Sequence, residues 1–237
     1  MKKLLFPLLL LLIASFAYSQ KIINDANVEA RTIGSFSGIS VSSGIDLFLS
    51  AGNEAVAISA SKPEHKERMK TEVKDGILKI WYEDKGFSIS VNGDRRLKAY
   101  VSYKTLKSLQ ASGGSDVVVD GSIKSGDFTL VLSGGSDFKG AIDASSLTVK
   151  QSGGSDVNIS GKVTNLVVDA SGGSDFDGYD LITEVCDIEA SGGSDIQITA
   201  NKEITAKASG ASDINYKGTP AVKEVKASGA SSVKAKS

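Results

Sequence analysis

The feature that most constrains this chain is a short motif that recurs at nearly constant spacing. The pentapeptide SGGSD occurs five times, SGASD follows once, and SGASS ends the series. The copies begin 18 to 21 residues apart, at Ser112, Ser133, Ser152, Ser171, Ser191, Ser209 and Ser228. A fixed period of this size is typical of a solenoid, in which each repeat forms one coil that packs on the next.

Apolar residues flank every copy of the motif at fixed positions. The residue directly after each copy is apolar, and these residues are Val117, Phe138, Val157, Phe176, Ile196, Ile214 and Val233. The residue three places before each copy is also apolar, which gives Leu109, Leu130, Val149, Val168, Ile188, Ala206 and Val225. A third, looser column contains Ile123, Ile142, Val163 and Leu181. Mostly polar residues alternate with the first two columns, so each turn is flanked by two half-buried strands.

Strands that lie one coil apart run in the same direction, and each coil then hydrogen-bonds to the next at a spacing of about 4.8 Å. The sequence therefore predicts an all-β fold, a single-stranded parallel β-helix with about 19–20 residues per coil. We expect it to be right-handed, because connections between parallel strands almost always are. A helical fold is excluded by the recurring glycine pairs and by an apolar period of two.

The same pattern appears upstream of the first SGGSD copy. The segment FSGISVSSGIDLFLSAG places Ile39, Val41, Leu47 and Leu49 as the repeat would, with Asp46 in the turn. EAVAISAS and GILKIWYED add alternating strands, while the charged KPEHKERMK between them predicts a short helix or an excursion. We therefore assign residues 32–110 to irregular N-terminal coils and a cap that includes Trp81 and Tyr82, and residues 111–237 to regular coils.

The N-terminal residues have the composition of a secretory signal peptide. Lys2 and Lys3 precede an apolar run, and small residues lead to an expected cleavage site after Ser19. Residues 1–19 are thus the predicted signal peptide, and residues 20–31 form a leader. No cysteine follows the cut to carry a lipid anchor, and no other stretch is long and apolar enough to span a bilayer. We expect the protein to be exported to the periplasm, the outer surface or the medium.

Charge and cysteine content exclude two further possibilities. Without Lys2 and Lys3 the chain has 25 basic and 28 acidic residues, a net charge of −3, so a nucleic-acid partner is not expected. Cys186 is the only cysteine and cannot form an internal disulfide. It falls in an inward column and is predicted to be a small core residue; the other members are Phe128, Leu147, Leu166 and Ile204.

Two interpretations of the turn motif remain open. In the first, SGGSD is a structural corner: the first glycine adopts positive φ, the second allows close stacking, and the aspartate accepts hydrogen bonds from turn amides. In the second, the aspartate column binds calcium through Asp116, Asp137, Asp156, Asp175, Asp195 and Asp213. Calcium needs six to eight oxygen ligands, and a single column supplies few, so we expect a structural corner without a cofactor.

Catalytic residues are sparse in this sequence. His65 is the only histidine and lies in the charged excursion, so we expect neither a Ser/His triad nor a multi-histidine metal site within the chain. The best acidic candidates for catalysis are Asp169, Asp187 and Glu189, which fall on adjacent coils with lysines on either side. Such a patch is usually a solvated, salt-bridged face.

The chain is similar to a known family in the segments that carry these patterns. The opening FSGISVSSGIDLFLSAG, the segment KTEVKDGILKIWYE and the serial SGGSD turns together resemble the head GIN domain family of autotransporter adhesins, from about Thr32 to Ser232. The resemblance implies a β-helical fold and a surface or periplasmic setting. It supplies no catalytic residues, and this chain contains no membrane-barrel translocator.

These observations favour a non-catalytic exported β-helix that binds glycans or surface proteins through its side faces. The alternative is a polysaccharide-active lyase or hydrolase, which a groove of aromatic and acidic residues across several coils would favour. The final strand alternates small apolar residues with Lys234 and Lys236, whose charges discourage end-to-end pairing, so we expect a monomer.

Overall fold

The computed structural model describes residues 25, 27–84 and 95–236. The predicted signal peptide lies outside the described residues. The described residues form strands and one short helix, in the chain order β1 (Glu29–Arg31), β2 (Gly38–Val41), β3 (Asp46–Ala51), β4 (Ala55–Ser59), α1 (Pro63–Arg68), β5 (Met69–Lys74), β6 (Ile77–Tyr82), β7 (Lys98–Tyr103), β8 (Ser108–Ser112), β9 (Val117–Ser133), β10 (Phe138–Ser152), β11 (Asp156–Ala170), β12 (Asp175–Ala190), β13 (Asp195–Ala208), β14 (Asp213–Lys217), β15 (Ala221–Ala227) and β16 (Ser232–Ala235).

The strands from β8 onward form a parallel β-helix, as the repeat predicts. Each of the long strands β9 to β13 makes up most of one coil, and each pairs in parallel with the strands one coil before and one coil after it. The register follows the sequence repeat: Val157 lies beside Phe138 on one side and beside Phe176 on the other. The whole solenoid has about seven turns.

The predicted apolar columns form the core. Phe138 and Phe176, which follow the motif, and Phe128, in the column of Cys186, are among the largest fully buried side chains. In the two columns beside the turn, the members up to Ile214 are buried. Val225 in β15 is 44% exposed, since β15 has no described strand on its outer side. The third column is buried but differs in register: Ile142 pairs with Gly161, whereas Val163 pairs with Ala144.

Differences in coil length are absorbed at the corner that follows the first strand segment of each coil. The parallel register shifts between Lys139 and Ala141, and again between Asn158 and Gly161. Gly161 has φ 118, and a Cβ placed there would lie 2.3 Å from the Ile142 carbonyl oxygen. These bulges explain why the third column is irregular while the columns beside the turn keep their register.

The N-terminal coils do not stack in chain order. Strands β2 and β3 form a coil that packs directly on β8 and the start of β9, although residues 52–107 lie between them in sequence. Strands β6 and β7 form the next coil outward, on the other side of β2 and β3. Inward residues of this region match the prediction, since Ile39, Val41, Leu47 and Leu49 are buried.

The cap consists of antiparallel strands, which the parallel repeat did not predict. Strand β5 pairs antiparallel with β6, β4 pairs antiparallel with β7, and β1 lies at the edge beside β4. The predicted short helix is α1, between β4 and β5. Tyr82 is buried beneath this cap, with the guanidinium groups of Arg68 and Arg95 4.7 and 4.8 Å from its ring centroid. The cap covers the N-terminal end of the core.

Cys186 lies in the core as predicted. It is in register with Leu166 on one side and Ile204 on the other, and it is 1% exposed. Burial raises the pKa of its thiol to about 11, and Thr183 Oγ1 lies 2.8 Å from its Sγ. Within the described part of the chain, no helix is long and apolar enough to span a membrane.

Candidate functional site

The fourth residue of the turn motif forms a buried ladder of serines that sequence reasoning missed. Ser115, Ser136, Ser155, Ser174, Ser194 and Ser212 are all fully buried. In the later coils the hydroxyl donates within its own turn; Ser194 Oγ, for example, lies 2.7 Å from the Ser191 carbonyl oxygen. The same hydroxyl lies 3.1 Å from the Ala170 carbonyl oxygen on the preceding coil. A buried polar group is tolerated when it is hydrogen-bonded in this way. The serine therefore stabilises both its own turn and the packing of that turn on the preceding coil.

The first glycine of the motif has the positive φ that was predicted, but it, rather than the second glycine, also makes the close contact between coils. The first glycine adopts positive φ in every copy of the motif, and from Gly153 onward it also makes the closest contact with the coil before it. The second glycine has positive φ in the first two copies, at Gly114 and Gly135, but not in the later ones. Open space surrounds Gly154, the second glycine of the third copy. The later copies can therefore carry alanine at this position, as Ala211 and Ala230 do.

The aspartates of the motif form an outward column along the turns. Their carboxylates accept hydrogen bonds from the next coil rather than from their own turn: the backbone N–H groups of Asp137 and Asp156 donate to Asp116 Oδ1 and Asp137 Oδ1, at 3.4 and 3.2 Å. Partial burial raises the pKa of Asp175, and the neighbouring Asp156 and Asp195 carboxylates raise it further. Burial likewise raises the pKa of Asp116. The column is thus a row of like charges partly offset by amide donors.

A metal site is not evident along this column. Within the described ranges, no group of three or more histidine, cysteine, aspartate or glutamate side chains is arranged to hold a metal ion. The proposed calcium ligands Asp116, Asp137, Asp156, Asp175, Asp195 and Asp213 instead lie one per coil along the stack.

The acidic catalytic candidates lie on a charged side wall. Asp169 and Glu189 are neighbours on adjacent strands, and Asp187 lies two residues before Glu189 on the same face. Lys150 is in register with Asp169, and Lys207 Nζ lies 2.9 Å from Glu189 Oε1. The three acids are exposed, and the adjacent pair Asp169 and Glu189 is flanked by Lys150 and Lys207 in a solvated ladder.

A second part of the same wall, toward the N-terminal end, forms a groove. It is formed by the outward faces of β6, β2, β8 and the second half of β9. Its volume of about 480 Å³ falls in the range of small-ligand sites. We refer to it as the Trp81 groove, and it is lined by Ile39, Ser40, Ser42, Ile77, Lys79, Ile80, Trp81, Ser108, Leu109, Gln110, Thr129 and Val131.

Sequence reasoning assigned Trp81 to the cap and did not find this groove. The alternation of Ile77, Lys79 and Trp81 against buried Leu78 and Ile80 does indicate that these three side chains point outward. Their neighbours could not be inferred, because β6 packs on β2 out of chain order.

Comparisons with known proteins agree with this architecture. A family model described as "Putative auto-transporter adhesin, head GIN domain" matches residues 35–220. No curated protein matches the chain.

Several solved structures share the fold. A protein described as a putative adhesin from Bacteroides fragilis is 18% identical, with a TM-score of 0.78 over 88% of this chain and 96% of that one. A second putative adhesin, from Parabacteroides merdae, is 16% identical with a TM-score of 0.67, over 89% and 96% of the two chains. A protein from Parabacteroides distasonis described as a putative lipid binding protein is 17% identical with a TM-score of 0.66, over 90% and 98%. At these identities the likeness concerns the fold.

Proposed function

Because the chain belongs to the family described as "Putative auto-transporter adhesin, head GIN domain", we propose that it is an exported, non-catalytic binding module. It contacts glycans or surface proteins through the side walls of its β-helix. Two solved structures with this fold are described as putative adhesins, which supports a binding role at a surface.

The observation that carries this proposal is the Trp81 groove. It combines a partly exposed aromatic ring with hydroxyl and amide side chains on a rigid sheet, which is the usual make-up of a small-ligand site. The strands beneath it are fixed by parallel pairing on both sides of β2, so the groove is preformed. A preformed surface binds without the entropic cost of ordering a loop.

The distribution of acids favours binding over polysaccharide cleavage. Glycoside cleavage usually requires a pair of carboxyl groups beside the bound sugar. The Trp81 groove has no aspartate or glutamate in its lining, while the acids Asp169, Asp187 and Glu189 lie farther along the wall among lysines. The aromatic ring of the Trp81 groove and these three acids thus occupy different parts of the wall.

The proposal is tested with the chain lacking residues 1–19, applied in labelled form to an array that carries neutral oligosaccharides, anionic oligosaccharides and immobilised extracellular proteins. We expect saturable binding to at least one class and no release of new reducing ends from the bound polysaccharides. Absence of saturable binding to every class, or progressive cleavage of a polysaccharide, contradicts it.

A further inference from the structure

We propose that the Trp81 groove binds neutral glycans, with a pyranose ring stacked on the Trp81 indole. This inference rests on the proposed function and adds a ligand class and a position. The ring of Trp81 is partly exposed, and Ile77, four residues earlier on the same face of β6, is 36% exposed. The indole offers an apolar platform to the C–H face of one sugar ring, and Ile77 offers a second apolar contact farther along the groove, beyond Lys79. The hydroxyl groups of the sugar need polar partners beside that platform.

Those polar partners lie on the neighbouring strands. Ser40 is in register with Lys79 on one side and with Gln110 on the other, and Ser108 is in register with Thr129. The side chains of Ser40, Ser108, Gln110 and Thr129 all line the groove, and none of the four is hydrogen-bonded to the side chain of another described residue. Hydroxyl and amide groups both donate and accept, which matches the dual capacity of sugar hydroxyls.

The distribution of charge along the wall favours an uncharged ligand in the groove. The row of outward side chains Lys79, Ser40, Gln110 and Val131 has one charged member. The same row continues into Lys150, Asp169, Glu189 and Lys207, where every position is charged. An uncharged ligand in the first part meets a single charge, the exposed Lys79 ammonium, which can remain in water at the end of its alkyl stem. In the second part the same ligand would remove water from four charged side chains, at high cost.

Trp81 is the only tryptophan of the chain, so its fluorescence reports on this groove alone. The experiment titrates the chain lacking residues 1–19 with neutral oligosaccharides of glucose, mannose and galactose, and with uronate oligosaccharides as the anionic comparison. We expect at least one neutral oligosaccharide to shift the emission saturably, and the uronates to leave it unchanged. Calorimetry on the same ligand then compares the variants.

We expect Trp81→Ala to weaken binding by ~10-fold or more, since loss of an aromatic anchor dominates such sites. Gln110→Ala should weaken binding less. The matched control is Tyr179→Ala, which removes another partly exposed aromatic ring, one that packs against Lys217 away from the groove. That variant should bind as the parent does, and circular dichroism should show all three variants folded.

The outcomes separate this inference from the proposed function. Array binding that survives Trp81→Ala overturns the groove assignment while leaving a binding module in place. A Trp81 emission shift with uronates, with lipid vesicles or with a protein, and none with neutral oligosaccharides, overturns the ligand class. Absence of array binding altogether overturns both.

Discussion

Gly172 lies directly over Gly153 of the preceding coil, and a Cβ placed on Gly172 would lie 2.6 Å from the Gly153 carbonyl oxygen. Gly172 also has φ +80, which residues with a side chain rarely adopt. The adjacent Gly173 has no positive φ, and its nearest neighbouring atom is 3.9 Å from such a Cβ. Two neighbouring glycines of one turn are thus under different constraints.

We predict that Gly172→Ala destabilises the protein while Gly173→Ala does not. The left-handed backbone alone costs about 1–2 kcal/mol for alanine, and the contact with Gly153 adds to that cost. For Gly173→Ala we expect a change within about 0.5 kcal/mol, since Ala211 and Ala230 occupy this position in later coils. Urea unfolding of the two variants measures the difference, and equal destabilisation would contradict the assigned roles.

The raised pKa of Asp175 predicts a pH-dependent effect of Asp175→Asn. Asparagine keeps an oxygen acceptor but removes the charge that faces Asp156 and Asp195. Because the folded pKa lies above the unfolded value of about 3.9, the charge penalty is present at pH 7 and disappears as the pH falls below that value. The variant should therefore exceed the parent in Tm at pH 7, with the gap closing toward pH 4.

The comparison for that experiment is Asp127→Asn, at an exposed position away from the aspartate column. A Tm gap that is the same for both variants, or that widens on acidification, would count against repulsion along the column.

We predict that Phe176→Asp unfolds or aggregates the protein. Phe176 is 1% exposed and is stacked between Val157 and Ile196, so the new carboxylate would have no partner. Its burial costs several kcal/mol, comparable with the whole stability of a domain, which is about 5–15 kcal/mol. Phe176→Leu keeps the site apolar and should cost roughly 1 to 2 kcal/mol. Thermal unfolding followed by circular dichroism checks both, and an unchanged Tm for Phe176→Asp would place this column outside the core.

We expect chelators to leave the fold intact. The carboxylates of Asp116 and Asp137 already accept hydrogen bonds from backbone N–H groups of the next coil. These hydrogen bonds offset part of the repulsion between the carboxylates without a cation. The Tm in EDTA should equal the Tm without it. A large decrease that calcium reverses and magnesium does not would favour the calcium interpretation of the turn.

We predict that the protein is a monomer, because its C-terminal lysines prevent the last coil of one molecule from pairing with a coil of another. Val222 is 51% exposed in the last coil, and β15 and β16 have no described strand on their outer side. Light scattering should give a monomeric mass for the parent and higher oligomers for the Lys234→Val, Lys236→Val double variant. The matched control is Lys124→Val, Lys139→Val, in covered coils. A parent dimer that dissociates on removal of residues 228–237 would show that this end is an interface.

The sequence predicted the part of the fold that repeats. Phe176 and Ile188 could be placed in the core because a fixed period and an alternation of two set both register and direction. Ser174 could not, since serine in a turn is ordinarily exposed, and its burial depends on carbonyl groups brought by the turn itself. The residues that surround Trp81 could not be predicted, because the cap reverses strand direction and changes the stacking order of the coils. No local sequence pattern encodes either change.

The stacking order at the N-terminal end also sets an order of events in folding. Strand β2 is synthesised before both of its partners, β6 and β8, and its partner residues in β8 lie about 70 residues later in the chain. Each coil from β10 onward meets its neighbour after about 20 residues. Closing a long loop is slow, because the loss of chain entropy comes before the stabilising contacts form. A solenoid, in contrast, can extend one coil at a time. We therefore expect the C-terminal coils to assemble first, and the earliest-made coil to be secured last.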